Sequence, residues 1–426
     1  MLTDKIVMHL REKKITLQPR PYLLKNKIQH YAWGTRGKHA FIPKLLGEQG
    51  SGDTPYAELW MGTHPNAPSE VFLNGSYVPL GKLISQYPVE ILGKEIKKKF
   101  SGKLPFLFKV LSAGEALSIQ AHPDKKQAVL LHAKDADHYP DDNHKPEIAI
   151  ALTSLIALVG FKPFPEIRQN LRNYPEISNF IGTNIIEKFE DIKQPSAQEV
   201  RYLVKLMYSS LMNKSITDNE KLTRAIEQLE NRLEKSNRFI KEEEKLFLDL
   251  KGKYGIDAGL FSIFLLNLIH LEEGQGIFLA AGVPHAYLKG NIVECMANSD
   301  NVVRAGLTSK FKDIKTLVKI LTYDTNPVSI LKLNSDKYQT IYNIPVQEFQ
   351  VSRYKISADQ KIIEKSKNRP NVLLIIDGNI SISWDSEMES MQENFYKGQA
   401  IFIPAILDEF RIKSLSPVTM FKVDIP

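Results

Sequence analysis

The segment LSIQAHPDK, residues 117–125, places the polar residues Ser118, Gln120 and His122 at every second position. Side chains along a β-strand alternate between its two faces, so these three would share one face and the apolar residues between them the other. Two interpretations fit this pattern: a strand with one face in water, or a strand that lines a polar pocket. The segments around it have to decide between them.

The composition is typical of a globular protein with two or three domains. The chain has 426 residues, of which 43% are hydrophobic and 25% charged. Its one cysteine, Cys295, excludes an internal disulfide and favours a reducing compartment. Residues 1–14 are charged too early for a signal peptide, and the most apolar segments, 148–160 and 259–271, are shorter than the ~20 residues that cross a bilayer. We therefore expect a cytoplasmic protein with no membrane partner.

The net charge of +7 does not by itself indicate a nucleic-acid-binding protein. The lysines are scattered in short runs such as KEIKKKF, residues 94–100, and no zinc-finger, RNA-recognition or helix-turn-helix signature accompanies them. A mildly basic enzyme with a small anionic substrate fits the same charge. We expect no nucleic-acid partner.

The residue pattern changes along the chain and divides it into three regions. Residues 21–160, together with 261–326, contain short alternating apolar runs separated by turn signals, which is the pattern of a β-sandwich or barrel. Residues 161–260 are predicted to be helical. In a helix predicted over 219–250, four apolar residues recur at three- and four-residue intervals, Leu222, Ile226, Leu229 and Leu233. A second amphipathic helix is predicted over 201–213.

The third region, residues 327–426, returns to a β pattern and contains no histidine, because all ten histidines lie before residue 286. Two apolar runs around Asp377 and Gly378 predict a β-hairpin, and KGQAIFIPA, residues 397–405, predicts a further strand. We expect a C-terminal β-domain without a histidine metal site.

Further polar residues stand on otherwise apolar strand-like segments, DDNHKPEIAIAL (141–152), VPHAYL (283–288) and IVECMA (292–297). Lys145 and Glu147 share one face at the start of the first segment, and His285 and Tyr287 share one face of the second. Glu294 is alone among apolar neighbours in the third. A carboxylate in such surroundings is paired, protonated or functional.

Two imidazoles, a carboxylate and an amide oxygen are donors that suit zinc. Such a set is available in Gln120, His122, Glu147 and His285, provided that their strands meet at the mouth of a small β-barrel. Spacing alone leaves the solvent-exposed interpretation of residues 117–125 open, and glutamine is an uncommon zinc ligand.

Long collinear segments of the chain resemble type I phosphomannose isomerases. They are QHYAWG (29–34), AELWMGTHPNAPS (57–69), LPFLFKVLSAGEALSIQAHPDK (104–125), DDNHKPEIAIAL (141–152) and PHAYLKGNIVECMANSDNVVRAGLTSKFKD (284–313). The resemblance covers roughly residues 25–160 and 275–315, and the helical and C-terminal regions match only in position and character. It departs from the family at Ser309, where proline is usual, and at Asn291, where aspartate is frequent.

The resemblance implies a mainly β fold in which two cupin-type (jelly-roll) β-barrels carry an inserted α-helical domain. The catalytic barrel would comprise residues 21–160 and 261–326, the helical insertion 161–260, and the second barrel, which lacks a metal site, 327–426. One Zn²⁺ per chain would bind to the four donors named above, and the family's active-site arginine corresponds to Arg304. The polar face of residues 117–125 would then line the metal pocket.

The resemblance also implies the interconversion of mannose 6-phosphate and fructose 6-phosphate through an enediol or enediolate. Arg304 would hold the developing negative charge or the phosphate, and the candidates for proton transfer are Glu294, Tyr287 and Lys310. Ser118 and Lys145 are expected either to bind substrate hydroxyls or phosphate or to be a hydrogen-bonded serine and an ion-paired lysine of the strand. We expect a monomer, and the sequence leaves open whether the product serves glycolysis or GDP-mannose synthesis.

Two other functions compete with this hypothesis. A cupin barrel can hold iron in an oxygenase, with two histidines and one carboxylate as ligands, and His122, Glu147 and His285 could serve. A sugar- or metal-binding barrel without catalysis is the second alternative. A fourth donor at Gln120 and the cations Arg304 and Lys310 favour an anionic substrate and a non-oxidative reaction.

Overall fold

The computed structural model describes residues 17–331, 335–336, 338–386 and 389–426. The N-terminal segment on which the signal-peptide prediction depends lies outside these residues. Among the helices that are described, none combines the length and the apolar character needed to span a membrane.

The first part of the chain is built from short strands and helices and two longer strands. They are β1 (Tyr22–Lys25), β2 (Lys27–Gln29), α1 (Phe41–Leu45), β3 (Glu58–Met61), β4 (Glu70–Leu73), β5 (Ser76–Pro79), α2 (Leu80–Gln86), α3 (Pro88–Leu92), α4 (Lys94–Lys99), β6 (Phe106–Ala113), β7 (Ile119–Ala121), α5 (Lys125–Lys134) and β8 (Glu147–Phe161). The sequence pattern predicted the strands here, but the five helices were not predicted.

The middle of the chain is helical, as predicted. Its helices are α6 (Phe164–Asn173), α7 (Pro175–Ile181), α8 (Thr183–Asp191), α9 (Ala197–Thr217), α10 (Asn219–Glu234), α11 (Glu242–Tyr254) and α12 (Gly259–Ser262). The single helix predicted over 219–250 is wrong in one respect, because α10 ends at Glu234 and α11 begins at Glu242. Ser236 and Asn237, two residues that favour turns, lie in the break. The four predicted apolar positions of α10 are all buried.

The remaining elements are almost all strands. They are β9 (Leu266–Leu271), β10 (Gly276–Leu279), β11 (His285–Ala297), β12 (Val303–Gly306), α13 (Ile314–Ile320), β13 (Ile330–Leu331), β14 (Ser335–Asp336), β15 (Gln339–Tyr342), β16 (Gln350–Ile356), β17 (Lys361–Lys365), β18 (Asn371–Asp377), β19 (Ile380–Asp385), β20 (Ser390–Phe395), β21 (Ala400–Ile403), β22 (Glu409–Ser414) and β23 (Val418–Asp424). The strand predicted within 397–405 is β21.

A ten-stranded sheet carries the candidate site, and the long antiparallel strands β8 and β11 form the centre of this sheet. Alternation along these strands separates two faces. Ile148 and Ile150 pack in one apolar cluster with bulky neighbours, whereas Ala149 and Ala151 lie on the opposite face in a second cluster. Because small side chains occupy this second face, it has room for long polar side chains from β6, β8 and β11.

The segment 117–125 forms a strand only over Ile119–Ala121, which pairs with β11 and β12. Ile119 and Ala121 pack toward the helical region, but Leu117 packs in the cluster on the opposite side of the sheet. The predicted alternation is therefore confirmed for Ile119–Ala121. It does not extend to Leu117, because Leu117 precedes the strand.

The other two sheets combine distant parts of the chain. A nine-stranded sheet has the order β14-β15-β16-β23-β18-β21-β1-β4-β5, so three N-terminal strands extend a sheet of C-terminal strands. A four-stranded sheet, β17-β22-β19-β20, packs near it. The hairpin predicted around Asp377 and Gly378 is wrong: β18 and β19 belong to different sheets. Gly378 has φ +81°, and a Cβ there would lie 2.2 Å from the Pro417 carbonyl oxygen, so this turn requires glycine.

Candidate active site

Three side chains converge at the polar face of the ten-stranded sheet, and each comes from a different strand or strand end. Glu147 begins β8, His285 begins β11, and His122 follows β7. The Glu147 Oε2 atom lies 3.4 Å from His122 Nε2 and 3.3 Å from His285 Nε2. All three residues are buried to at least 99%, and their ligand atoms all lie within 4.8 Å of one another.

Backbone carbonyls fix the orientation of both imidazole rings. His122 Nδ1 lies 2.7 Å from the Asn301 carbonyl oxygen, and His285 Nδ1 lies 3.0 Å from that of Val283. A carbonyl only accepts, so each Nδ1 carries the proton and each Nε2 presents a lone pair. This outer support is the usual arrangement behind histidines that bind a metal.

Two of the converging atoms, His122 Nε2 and Glu147 Oε2, are buried and have no hydrogen-bond partner among the residues that the structure describes. Unpaired buried polar atoms are costly, and a pair of them aimed at one point indicates a missing partner that accepts electron pairs. A divalent cation that prefers nitrogen and carboxylate ligands fits this position. The positions of these three side chains therefore fit a zinc site.

The charge states at this point also suit a cation. Burial lowers the pKa of His122 to about 4, and the charge of Glu147 only partly opposes this effect. Burial raises the pKa of Glu147, but Lys145 and His122 outweigh burial and hold it well below its usual range. Lys145 Nζ lies 3.1 Å from Glu147 Oε1, the oxygen that does not face the histidines. A neutral imidazole and a carboxylate are the forms that bind metals.

Gln120 lies beside this group. Its side-chain Nε2 is 3.5 Å from His285 Nε2, and its backbone pairs with His285 on one side and Arg304 on the other. A half-turn of the amide would exchange Nε2 for Oε1 and so offer an oxygen donor toward the same point. The structure thus brings all four predicted ligands together, and Gln120 as a ligand stays a prediction.

A second polar group occupies the same face of the sheet: Tyr287 lies two residues after His285 on β11, and Glu294 of the same strand pairs with Ala149, two residues after Glu147 on β8. Glu294 Oε1 accepts a hydrogen bond of 2.9 Å from the Tyr287 hydroxyl. Its other oxygen, Oε2, lies 3.3 Å from Lys109 Nζ, which also lies 3.6 Å from Glu58 Oε2. The indole N–H of Trp60 donates to that oxygen of Glu58. We call Glu58, Lys109, Glu294 and Tyr287 the first cluster.

Sequence reasoning missed Lys109 and Glu58, although a signal was present. Lys109 is the only charge in the apolar run LPFLFKVL, residues 104–111, just as Glu294 is in 292–297. The argument that singled out Glu294 therefore applies equally to Lys109. Glu58 is harder to find, because its strand is only four residues long.

Burial and nearby charge act together on the first cluster. Burial and the charge of Glu147 raise the pKa of Glu294, and Lys109 opposes them without cancelling them. Burial lowers the pKa of Lys109, but Glu58 and Glu294 reverse the direction and raise it. Burial also raises the pKa of Tyr287 well above its usual range. A protonated lysine and a carboxyl group with raised proton affinity thus lie beside the metal ligands.

The other predicted residues lie at the edge of this region. Arg304 is half-buried on β12, burial lowers its pKa, and it borders a cavity of about 240 Å³ together with Asp300. Asp300 also borders a larger cavity of about 1500 Å³, and its carboxylate lies 3.1 Å from His64 Nε2. Lys310 is exposed in the loop after β12, and Ser118 is half-buried just before β7.

Asp257, which precedes α12, fixes the loop between Arg304 and Lys310. Its Oδ1 accepts hydrogen bonds from the backbone N–H of Leu307 (2.9 Å) and Gly259 (2.7 Å), and its Oδ2 lies 3.0 Å from Lys312 Nζ. The backbones of Gly306 and Gly259 touch, since a Cβ added at Gly306 would lie 2.6 Å from Gly259 Cα. The helical region and the arginine strand are therefore joined at a point where no side chain fits.

The remaining residues of the matching motifs have structural contacts. His144 Nε2 lies 2.7 Å from Glu348 Oε1, which connects the strand of the candidate site to the C-terminal region. Trp33 packs at the edge of the cluster that contains Tyr287. Cys295 is buried with the bulky apolar residues on the other face of β11. Cys295 is therefore a buried free thiol.

Comparison with known families matches two parts of the chain. Residues 22–164 match phosphomannose isomerase type I, catalytic domain, and residues 180–266 match phosphomannose isomerase type I, helical insertion domain.

Individual relatives are similar along nearly the whole chain. A mannose-6-phosphate isomerase of Mus musculus is 38% identical over 400 residues, which cover 91% of this chain and 94% of the mouse protein. A mannose-6-phosphate isomerase of Saccharomyces cerevisiae is 39% identical over 407 residues, 89% of this chain and 94% of the yeast protein. A crystal structure of mannose 6-phosphate isomerase from Salmonella typhimurium, bound to fructose 6-phosphate and zinc, superposes with a TM-score of 0.80 at 31% identity, covering 95% of this chain and 99% of that one.

Proposed function

The chain belongs to the type I phosphomannose isomerase family, and we propose that it is a zinc-dependent aldose–ketose isomerase that interconverts mannose 6-phosphate and fructose 6-phosphate. The observation that carries this proposal is the convergence of His122 Nε2, His285 Nε2 and Glu147 Oε2 in a buried position. Within the described part of the chain, two of these atoms, His122 Nε2 and Glu147 Oε2, have no hydrogen-bond partner.

The ligands of the zinc ion would be His122, Glu147 and His285, with Gln120 as a fourth donor. When bound, zinc supplies Lewis-acid stabilisation to the oxygens on C1 and C2 of the open-chain sugar. The protein keeps Glu147 ionised through Lys145 and orients both histidines through the Asn301 and Val283 carbonyls.

Proton transfer between C1 and C2 requires a group that can both accept and release a proton near neutral pH. Glu294 has the properties for this role, because its pKa is raised and it is held by Tyr287 and Lys109 on the face shared with Glu147. Tyr287 would orient Glu294, since its own pKa is raised too far for it to ionise easily. Lys310, which is exposed, is the weaker candidate for moving the proton and suits contact with the phosphate.

Arg304 would stabilise negative charge in the substrate. It is half-buried beside a cavity that also reaches Asp300, and its guanidinium keeps its charge even where burial lowers the pKa. A fixed positive charge in a partly desolvated position stabilises an enediolate or a phosphate more than it would in water. Ser118 and Lys145 would contact substrate oxygens, Lys145 in addition to its ion pair with Glu147.

Three further features remain part of the proposal. The ten-stranded sheet would form a cupin-type barrel and the C-terminal strands a second one, with the helical insertion between them at the boundaries 21–160 with 261–326, 161–260 and 327–426. The protein would act as a monomer. It would work in the cytoplasm, as its single buried cysteine suggests.

Metal analysis combined with an activity assay tests the proposed function. We expect about one equivalent of zinc per chain in the purified protein and production of fructose 6-phosphate from mannose 6-phosphate. Chelation should remove both, and added zinc should restore both. Iron instead of zinc, or zinc without isomerase activity, would favour the oxygenase or the non-catalytic barrel.

A further inference from the structure

Two members of the first cluster, Lys109 and Glu294, lie in one row of paired residues that crosses four strands of the sheet. Trp60 on β3 pairs with Lys109 on β6, and Lys109 pairs with Glu294 on β11. Glu294 in turn pairs with Ala149 on β8, two residues from Glu147. Since side chains that are paired across antiparallel strands point to the same face, Trp60, Lys109 and Glu294 project together toward the metal ligands.

Lys109 has carboxylates on both sides and little contact with water. Its side chain is 7% exposed, that of Glu58 8% and that of Glu294 5%. One ammonium group cannot neutralise two ionised carboxylates, so this buried group has an excess of one negative charge when both are ionised. Buried charges interact strongly, so the excess negative charge favours protonation of one carboxylate. The carboxylate that accepts fewer or weaker hydrogen bonds is the one that is protonated more easily.

The two carboxylates receive different donors. Glu58 accepts from the Trp60 indole N–H, and Glu294 accepts from the Tyr287 hydroxyl, while both contact Lys109. Glu58 lies on the side of Lys109 away from the β8 strand of Glu147, since β3 and β11 flank β6 in the sheet. It is therefore placed to control the charge of Glu294 without contacting the substrate.

We propose that Glu58 is a positioning residue for the isomerase reaction: it holds Lys109 in place and, by sharing that cation, keeps Glu294 ready to exchange a proton. This inference depends on the proposed function, because Glu294 needs that property only if it transfers a proton. With Glu58 uncharged, the whole charge of Lys109 would act on Glu294 and favour its ionised form.

The groups that face Glu294 determine the direction of the expected change. The negative charges of Glu147 and Glu58 raise its pKa, and the positive charges of Lys109 and Lys145 lower it. Tyr287 donates a hydrogen bond to it. Removing the charge of Glu58 thus lowers the pKa of Glu294, and the part of the pH profile that reports Glu294 should move to lower pH. The direction is the same whether Glu294 acts as base or as acid.

The test compares the dependence of kcat/KM on pH in the zinc-loaded wild-type enzyme and in Glu58→Gln. Glutamine keeps the shape of Glu58 and an oxygen that can accept from Trp60. We expect the limb of the pH profile that reports the titration of Glu294 to move to lower pH in the variant. The zinc content and the KM at the pH optimum should change less than about twofold, because Glu58 is not among the proposed metal ligands or substrate contacts.

The matched control is Glu364→Gln in the C-terminal region. Glu364 also shares a buried lysine, Lys422, with a second carboxylate, Asp424, and accepts from a tyrosine. Its substitution should leave the pH profile of the isomerase unchanged. A shift in both variants would overturn the inference, since any loss of a buried carboxylate would then have the same effect.

The other outcomes are equally decisive. Lower activity of Glu58→Gln at every pH, with the limb in its original place, would show a merely structural role and overturn the inference. If Glu58→Gln does not fold, Trp60→Phe removes the N–H donor that holds Glu58 beside Lys109, and the same part of the pH profile should shift in that variant. An unshifted limb in Trp60→Phe overturns the inference too. Absence of isomerase activity in the wild-type enzyme would reject the proposed function itself.

Discussion

Two buried charge clusters in this molecule each contain a lysine, two carboxylates and a tyrosine, and they differ in their surroundings. The first cluster joins Glu58, Lys109, Glu294 and Tyr287. A second cluster in the C-terminal region joins Glu364, Lys422, Asp424 and Tyr354: Lys422 Nζ lies 2.8 Å from Glu364 Oε2 and 3.4 Å from Asp424 Oδ2, and the Tyr354 hydroxyl donates to Glu364 over 2.9 Å.

The difference lies in what surrounds each lysine. Lys109 and Glu294 are neighbours within one sheet, on a face lined with alanines and shared with Glu147 and two histidines. Lys422 belongs to the nine-stranded sheet and Glu364 to the four-stranded sheet, so the second cluster connects two sheets. A buried lysine with two carboxylates therefore does not by itself indicate catalysis. Unpaired ligand atoms nearby, such as those of His122 and Glu147, are the feature that points to a functional site.

The largest expected effect comes from removing one of the candidate metal ligands beside the first cluster. His285→Ala should lose its equivalent of zinc and lower kcat/KM by more than about 100-fold, since even the outer supports of metal ligands are worth 10–100-fold. Metal analysis and the isomerase assay measure both. His270→Ala is the control, because His270 is an exposed histidine paired with Glu242. Retention of zinc and activity in His285→Ala would remove the main difference between the two clusters.

The next effect separates charge stabilisation from metal binding. Arg304→Ala should retain zinc but lower kcat by about 100-fold, because a preorganised charge near the reacting oxygens contributes roughly 3 kcal/mol. Arg411→Ala, which removes an exposed C-terminal arginine paired with Asp385, should change neither quantity. Zinc loss in Arg304→Ala would assign Arg304 a structural role instead.

The second cluster should affect stability and not catalysis. Glu364→Gln should lower the free energy of unfolding by about 2 kcal/mol, since Lys422 and Tyr354 lose a charged partner in a buried position. Denaturant unfolding measures this, and the activity per folded enzyme should equal that of the wild type. A fall in kcat with normal stability would mean that the two regions are coupled.

The smallest effect concerns the contact between the two regions. Burial raises the pKa of Glu348, but the hydrogen bond and the charge interaction with His144, together with backbone hydrogen bonds, outweigh burial, and the net direction is down. A depressed folded pKa stabilises the protein above the unfolded pKa of about 4.3, and this contribution disappears as the pH falls through the folded value. Glu348→Gln should therefore cost about 1 kcal/mol at pH 6 and less near pH 3, where more of the Glu348 carboxylate is protonated. Unfolding at both pH values measures the difference, and Glu409→Gln, at an exposed pair, is the control.

The sequence predicted the parts of the site that depend on alternation along one strand. Gln120, His122, Glu147 and His285 were candidates because each is a polar position on a strand-like segment, and the resemblance to the family then selected them as ligands. The structure brings the four residues together. Lys109 and Glu58 were missed because their significance depends on pairing between β3, β6 and β11, which no single segment shows.

Long-range pairing also explains the errors in the fold. The hairpin predicted at Asp377 and Gly378 has the correct local turn, but β18 pairs with β21 and β23 instead of β19. The pairing of β1 with β21 joins the two ends of the described chain and could not be predicted from either end alone. Local signals determine where strands begin and end, whereas burial of complementary faces determines which strands become neighbours.

The glycine contact between residues 259 and 306 has a consequence for how this enzyme could be rebuilt from parts of its relatives. Asp257, Gly259 and Gly306 are in close contact, so a chimaeric protein would have to take all three residues from the same parent. A chimaera that exchanges the helices up to residue 255 keeps the unit intact. A chimaera whose crossover falls between residues 257 and 306 takes Asp257 from one parent and Gly306 from the other. A side chain at Gly259 or Gly306 would then displace the strand of Arg304.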